Sequence, residues 1–293
     1  MKLNTERIHT IWHLTWPQCI MLLCQFVIGI TDVWAGGRIG SEVQASIGLI
    51  TQCHMMFMAL AMAAVSGAVA SISQSLGACK FVRARRYVGL VTIGCIAIGS
   101  AIAVAASVWR EPLLRLIQTP ESIMPVAIMF LTATIWCIPG QYTLTIGAAV
   151  FRSAKMVLIP LYVTGTACLL NVFGDLAFGL GWWGFPAYGA TGIAYSTLVS
   201  VTVGAALMLF LLMRHELFTR DSFPGWRWIK AGAPYLLKVA GPAFGTSFLW
   251  QTGYMVLYVI TASLPFGRVN ALAGLTTGLR VESILFLPAV AFS

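Results

Sequence analysis

Eight stretches of this chain are apolar over about twenty residues or more, with short polar segments between them. They cover residues 14–35, 46–77, 87–108, 123–148, 158–178, 190–213, 235–261 and 270–293. About 20 apolar residues, each rising 1.5 Å in a helix, cross the hydrocarbon of a bilayer. The pattern therefore predicts eight transmembrane helices and an all-α integral membrane fold. The second stretch is overlong and should tilt or project from the bilayer. The first is long enough to stay as a span, and no A-x-A-type cleavage site follows a short apolar core.

Composition agrees. The chain is 59% hydrophobic and 9% charged, where a soluble domain carries about 25% charged residues. Charge then sets the orientation. With the N-terminus inside, the inner segments hold Lys2, Arg7, Lys80, Arg83, Arg85, Arg86, Arg152, Lys155, Arg214, Arg220, Arg227, Lys230 and Lys238. The outer loops hold only Arg38, Arg110, Arg115 and Arg268, and Arg280 falls in the last span. The positive-inside rule places the N-terminus in the cytoplasm. The +9 net charge is topology rather than a nucleic-acid footprint.

A weak internal repeat follows. Trp16-Pro17 aligns with Gly241-Pro242, and Ala45-Ser46-Ile47-Gly48 with Ala271-Leu272-Ala273-Gly274, at offsets of 225 and 226 residues. Six spans separate the copies, so both insert in the same sense, as parallel repeats about an axis along the membrane normal. The expected organisation is a six-helix lobe over 1–213, a cytoplasmic linker over 214–234, and an incomplete second lobe over 235–293. A second full repeat would need about 450 residues, so the expectation is a truncated product or a fragment.

Only nine Asp and Glu residues occur, and three of them, Asp32, Asp175 and Glu282, fall within apolar stretches. A carboxylate at such a depth costs at least a few kcal/mol and marks a functional site by default. Asn171 and Asp175 are four apart and share one helix face. Counting 1.5 Å per residue from the inner edge puts Asp32 and Asp175 about 25 Å up, in the outer half. Thr197 of the sixth span reaches a similar depth. Asp32, Asn171, Asp175 and Thr197 can therefore converge. Their oxygens suit Na⁺, a hard cation, and equally a proton shared by two close carboxylates. The competing reading makes these acids helix ends at the water interface. It is a fair rival for Asp32 alone and a weaker one for Asn171 with Asp175.

Other features say less. Pro17 reads either as a tolerated first-turn proline or as a bend that lets the first span move. Gln25, Met55, Met58 and Met62 are candidates for an adaptable apolar cavity, although such methionines are more often packing. Arg280 and Glu282 are two apart and do not face each other; residues of helices not present in this sequence are candidate partners. The G-x-x-x-G spacings Gly241/Gly245 and Gly274/Gly278 suggest close helix contacts. Seven cysteines show no C-x-x-C, and His9, His13, His54 and His215 form no ligand cluster. No structural metal site or organic cofactor is expected.

Several motifs stand in order: Pro17 with Asp32; Gly40-Ser41-Glu42 leading to Ala45; Gln74-Ser75-Leu76-Gly77-Ala78; Asn171-x-x-x-Asp175; Gly189 through Thr197; and Arg280-Val281-Glu282-Ser283 with Pro288. Together they resemble the multidrug and toxic compound extrusion (MATE) family of cation-coupled exporters. The resemblance implies twelve helices in two six-helix bundles, with this chain matching roughly the first two-thirds of a member. It implies alternating access that exchanges Na⁺ or H⁺ for small cationic or amphiphilic organic compounds. It also implies a plasma (inner) membrane location and a monomer when full length, with the bilayer and the substrate as the only partners. The coupling-ion site carries over to Asp32, Asn171, Asp175 and Thr197, and the helix-one bend to Pro17. Some members use an acid in the seventh helix; residues 235–261 contain none. A lipid-linked saccharide flippase of the same superfamily is one rival, but it needs a basic cavity. An intramembrane aspartyl protease is another, but Val172-Phe173-Gly174-Asp175 lacks the first glycine of its G-x-G-D run. No enzyme activity is expected.

Overall fold

A computed structural model describes the backbone of residues 5–291 and the side chains of residues 12–283. Lys2 lies outside the described residues, as do the side chains of Arg7, His9 and Pro288. The described chain is helical almost throughout. The helices are α1 (Thr5–Ile39), α2 (Ser41–Gly77), α3 (Phe81–Val108), α4 (Arg110–Leu116), α5 (Met124–Ser153), α6 (Leu158–Gly174), α7 (Ala190–Arg214), α8 (Trp226–Ala262) and α9 (Arg268–Ala291). Helix α6 runs directly into one π-helical turn, Asp175–Gly179.

Six helices, α1, α2, α3, α5, α6 and α7, are long and apolar enough to cross a membrane by length and composition. They account for the first six expected spans. The seventh and eighth expected spans also fold as long helices, α8 and α9. Over their described residues these two do not reach the same apolar character.

Three differences from the sequence pattern have physical causes. Helix α8 starts at Trp226 rather than near 235. Its basic first turns read as loop, but Trp228 packs edge-on against Tyr87 of α3, with ring centroids 4.9 Å apart, which holds that segment in helix. Pro17 stands well inside α1, which begins at Thr5, so it is not a first-turn proline. Its missing N–H leaves one intrahelical bond unmade in mid-helix. Finally, the short α4 passes unnoticed in sequence because seven residues are too few to show a period.

Helix α2 is the hub. It packs against α3, α5, α8 and α9. Alanine and glycine make this possible, since without a hydrophobic drive between helices in lipid, close approach depends on small residues. A Cβ at Gly48 would strike the Thr276 side chain of α9, and one at Gly67 would press on the Leu236 carbonyl of α8. By contrast, among the described residues a Cβ at Gly241, Gly245, Gly274 or Gly278 would meet nothing within 4 Å, so the G-x-x-x-G spacings do not mark the contacts between the described helices. The buried side chains form two clusters. One contains Leu49, Leu131, Ile193, Tyr258 and Leu272. The other contains Ile72, Tyr87, Tyr142, Ile146 and Met208.

Candidate ion and substrate site

The α6-to-π junction creates the polar centre. Gly174, the last α-helical residue of α6, lies against Ser196 of α7, where any Cβ would collide with the serine side chain. The two helices therefore approach closely at this level, and the Ser196 hydroxyl donates to Asp175 Oδ1. One turn earlier on α6, Asn171 Nδ2 donates to Thr197 Oγ1 at 3.1 Å. The Thr197 hydroxyl in turn donates to the Ile193 carbonyl at 3.1 Å. Asn171 and Asp175 are fully buried. A π-turn inside a helix is rare and often falls at a functional site; here it begins at the aspartate.

Asp32 of α1 completes the group. Its side chain interacts with those of Asp175 and Asn171. The structure thus brings together all four of the residues expected to converge, and α1 continues past Asp32 to Ile39, so Asp32 does not end its helix. Three oxygens in this group, Asp32 Oδ1, Asn171 Oδ1 and Asp175 Oδ2, are buried with no hydrogen-bond partner. Buried acceptors without partners are costly and uncommon. Three of them on neighbouring side chains, with Thr197 Oγ1 bonded to the same asparagine, offer oxygen ligands of the kind a hard cation takes. Two neighbouring carboxylates equally suit a shared proton. The residues present therefore fit either coupling ion.

Asp32 and Thr197 also belong to the wall of a cavity of about 250 Å³. Gln25, Met55, Met58 and Met62, the candidate cavity residues, all line it. The methionines occupy one side of α2, and Thr134, Gln141 and Thr145 of α5 add polar groups. Beside the cavity Tyr142 donates to the Phe57 carbonyl at 2.5 Å, joining α5 to α2.

Three residues here were missed by sequence reasoning. Ser196 is the direct partner of Asp175, and only the helix approach at Gly174 identifies it. His54 lines the cavity with its Nδ1 buried and unpartnered; with no second ligand nearby in sequence it gave no signal. Arg280 lines the same cavity, and its guanidinium rests against Gly29 of α1. Its neighbour among the described residues is thus on α1. Glu282 accepts from Tyr254 at 3.3 Å.

The comparisons with known proteins agree with this architecture. The chain is 26% identical over 271 residues to a probable multidrug resistance protein NorM of Thermotoga maritima, covering 92% of this chain and 57% of that protein. It is 22% identical over 280 residues to an FAD transporter of Shewanella oneidensis, covering 94% and 61%. Among solved structures, the bent form of the Vibrio cholerae MATE transporter VcmN superposes with a TM-score of 0.79 at 21% identity, over 97% of this chain and 63% of that one. A MOP superfamily transporter from Pyrococcus furiosus superposes with a TM-score of 0.82 at 19% identity, over 97% and 62%. The chain thus spans about three-fifths of the length of these relatives. The described residues share the all-helical fold of these structures. The MatE family model matches residues 17–176, more than half of the sequence, and this chain belongs to that family.

Proposed function

We propose that this chain forms the ion-coupling part of a cation-driven antiporter that exports cationic or amphiphilic organic compounds. One observation carries the reading: three unpartnered buried oxygens of Asp32, Asn171 and Asp175 adjoin a methionine-lined cavity through Asp32 and Thr197. Because Asp32 and Thr197 belong to both, an ion at the site and a substrate in the cavity share a wall. Binding of one then alters binding of the other, which is what exchange requires.

Each residue has a role in that scheme. Asp32 and Asp175 supply the charge that attracts Na⁺ or a proton. Asn171 and Thr197 complete the oxygen set and hold each other in place. Ser196 orients Asp175. Gln25, Met55, Met58 and Met62 form an adaptable wall, since thioether side chains repack around differently shaped guests. Pro17 supplies the flexible point in α1. In this reading α8 and α9 cross the membrane as part of a second bundle, the N-terminus is cytoplasmic, the membrane is the plasma membrane, and the transporter is a monomer. Access alternates by movement of one bundle against the other.

The test is dye efflux from membrane vesicles under sodium and pH gradients imposed separately. Efflux that responds to one of the gradients, and that Asp175→Asn abolishes at unchanged expression, is the expected result. Wild-type efflux in the Asp175→Asn variant would refute the assignment.

A further inference from the structure

Arg280 is a half-buried charge that the four-residue ion site does not use. It belongs to α9, yet its guanidinium lies against Gly29 of α1. Gly29 is buried and sits three residues before Asp32, on the same face of the helix. With any side chain at 29 the guanidinium would have to move. Arg280 and Asp32 line the same cavity, and the arginine charge acts on the aspartate. Among the described residues neither makes an ion pair within 4.0 Å, and Asp32 Oδ1 has no partner there. Arg280 also lines a second cavity of about 520 Å³ between α1, α2, α8 and α9. The other charge in that wall, Glu282, is held by Tyr254 and stands two residues away on a different face of α9.

We propose that Arg280 is the built-in counter-charge of the ion site, a positioning residue by which α9 neutralises Asp32 across the cavity and is thereby held against α1. The attraction is strong because the medium between the charges is poor in water, and because a buried carboxylate without compensation is costly. A cation bound at Asp32 removes the attraction. Occupancy of the ion site and the hold of α9 on α1 are therefore linked. That last link rests on the reading of Asp32 as a coupling-ion residue; the pairing itself does not.

A double-mutant cycle on thermal unfolding of the purified chain in detergent tests the pairing without any transport. Arg280→Gln and Asp32→Asn are each expected to lower the melting temperature by roughly 3 °C or more. The double variant should lose well less than the sum of the two single losses, because neither charge is then left alone. Arg280→Lys should keep most of the wild-type melting temperature, and the swap of Asp32→Lys with Arg280→Glu should melt above either single swap. Additive losses in the neutral cycle, or an Arg280→Lys variant as unstable as Arg280→Gln, would overturn the proposal. A failed efflux assay with a non-additive cycle would refute the antiporter reading and leave the pair standing.

Discussion

Asn171 and Thr197 stand on different helices, and the amide of the first donates to the hydroxyl of the second at 3.1 Å. The bond uses the amide nitrogen and leaves Asn171 Oδ1 free. It thereby fixes the rotation of the amide in the packed interior. Thr197→Val keeps the shape and removes the acceptor, leaving a buried amide nitrogen unpaired at a cost of about 1–3 kcal/mol. The expected outcome is a lower melting temperature together with weaker dependence of efflux on the driving ion. Full ion dependence in Thr197→Val would show that the bond does not orient the site.

Ser196 bonds directly to Asp175. Replacing it with alanine leaves both carboxylate oxygens without a protein donor, since Asp175 Oδ2 already lacks one. Ser196→Ala should reduce coupled efflux about tenfold, equivalent to a hydrogen bond to a charged group worth about 1.4 kcal/mol. Ser196→Thr, which retains the hydroxyl, should recover part of it. Equal rates for serine and alanine would remove Ser196 from the site.

Pro17 breaks the hydrogen-bond ladder in the middle of α1. A helix-interior proline costs about 3 kcal/mol, so Pro17→Ala should raise the thermal stability of the protein while slowing exchange. Measured together, a higher melting temperature with unchanged efflux would mean that α1 does not bend there during transport.

Gly48 gives a contrast with the glycines of the G-x-x-x-G spacings. A Cβ at Gly48 overlaps the Thr276 side chain, whereas one at Gly274 meets nothing within 4 Å. Gly48→Val should force α2 and α9 apart and destabilise by about 1–3 kcal/mol. Gly274→Ala should be neutral or slightly stabilising, because alanine is the better helix former. Comparable melting temperatures for the two variants would argue against the α2–α9 contact.

The sequence by itself determined the helices and the cost of what they bury. Hydropathy over twenty-residue windows reflects a solvent constraint that each span meets alone, since in lipid every backbone polar group must be satisfied within its own helix. Asp32, Asn171 and Asp175 were legible for the same reason: a polar side chain in an apolar window is conspicuous wherever the helix goes. Rise per residue then set their common depth.

The tertiary structure decided who faces whom, which depends on the rotation and spacing of neighbouring helices. Ser196 carries no signal of its own, because serine is common in spans; Gly174, by allowing α7 to approach, makes it the partner of Asp175. Arg280 stood in a stretch 248 positions after Asp32, and only the packing of α9 against α1 brings its charge into the same cavity. The start of α8 was likewise set by a tertiary contact, Trp228 on Tyr87, that overrode a local run of charges. Depth is a property of one helix and can be counted along the chain; convergence is a property of several and has to be packed.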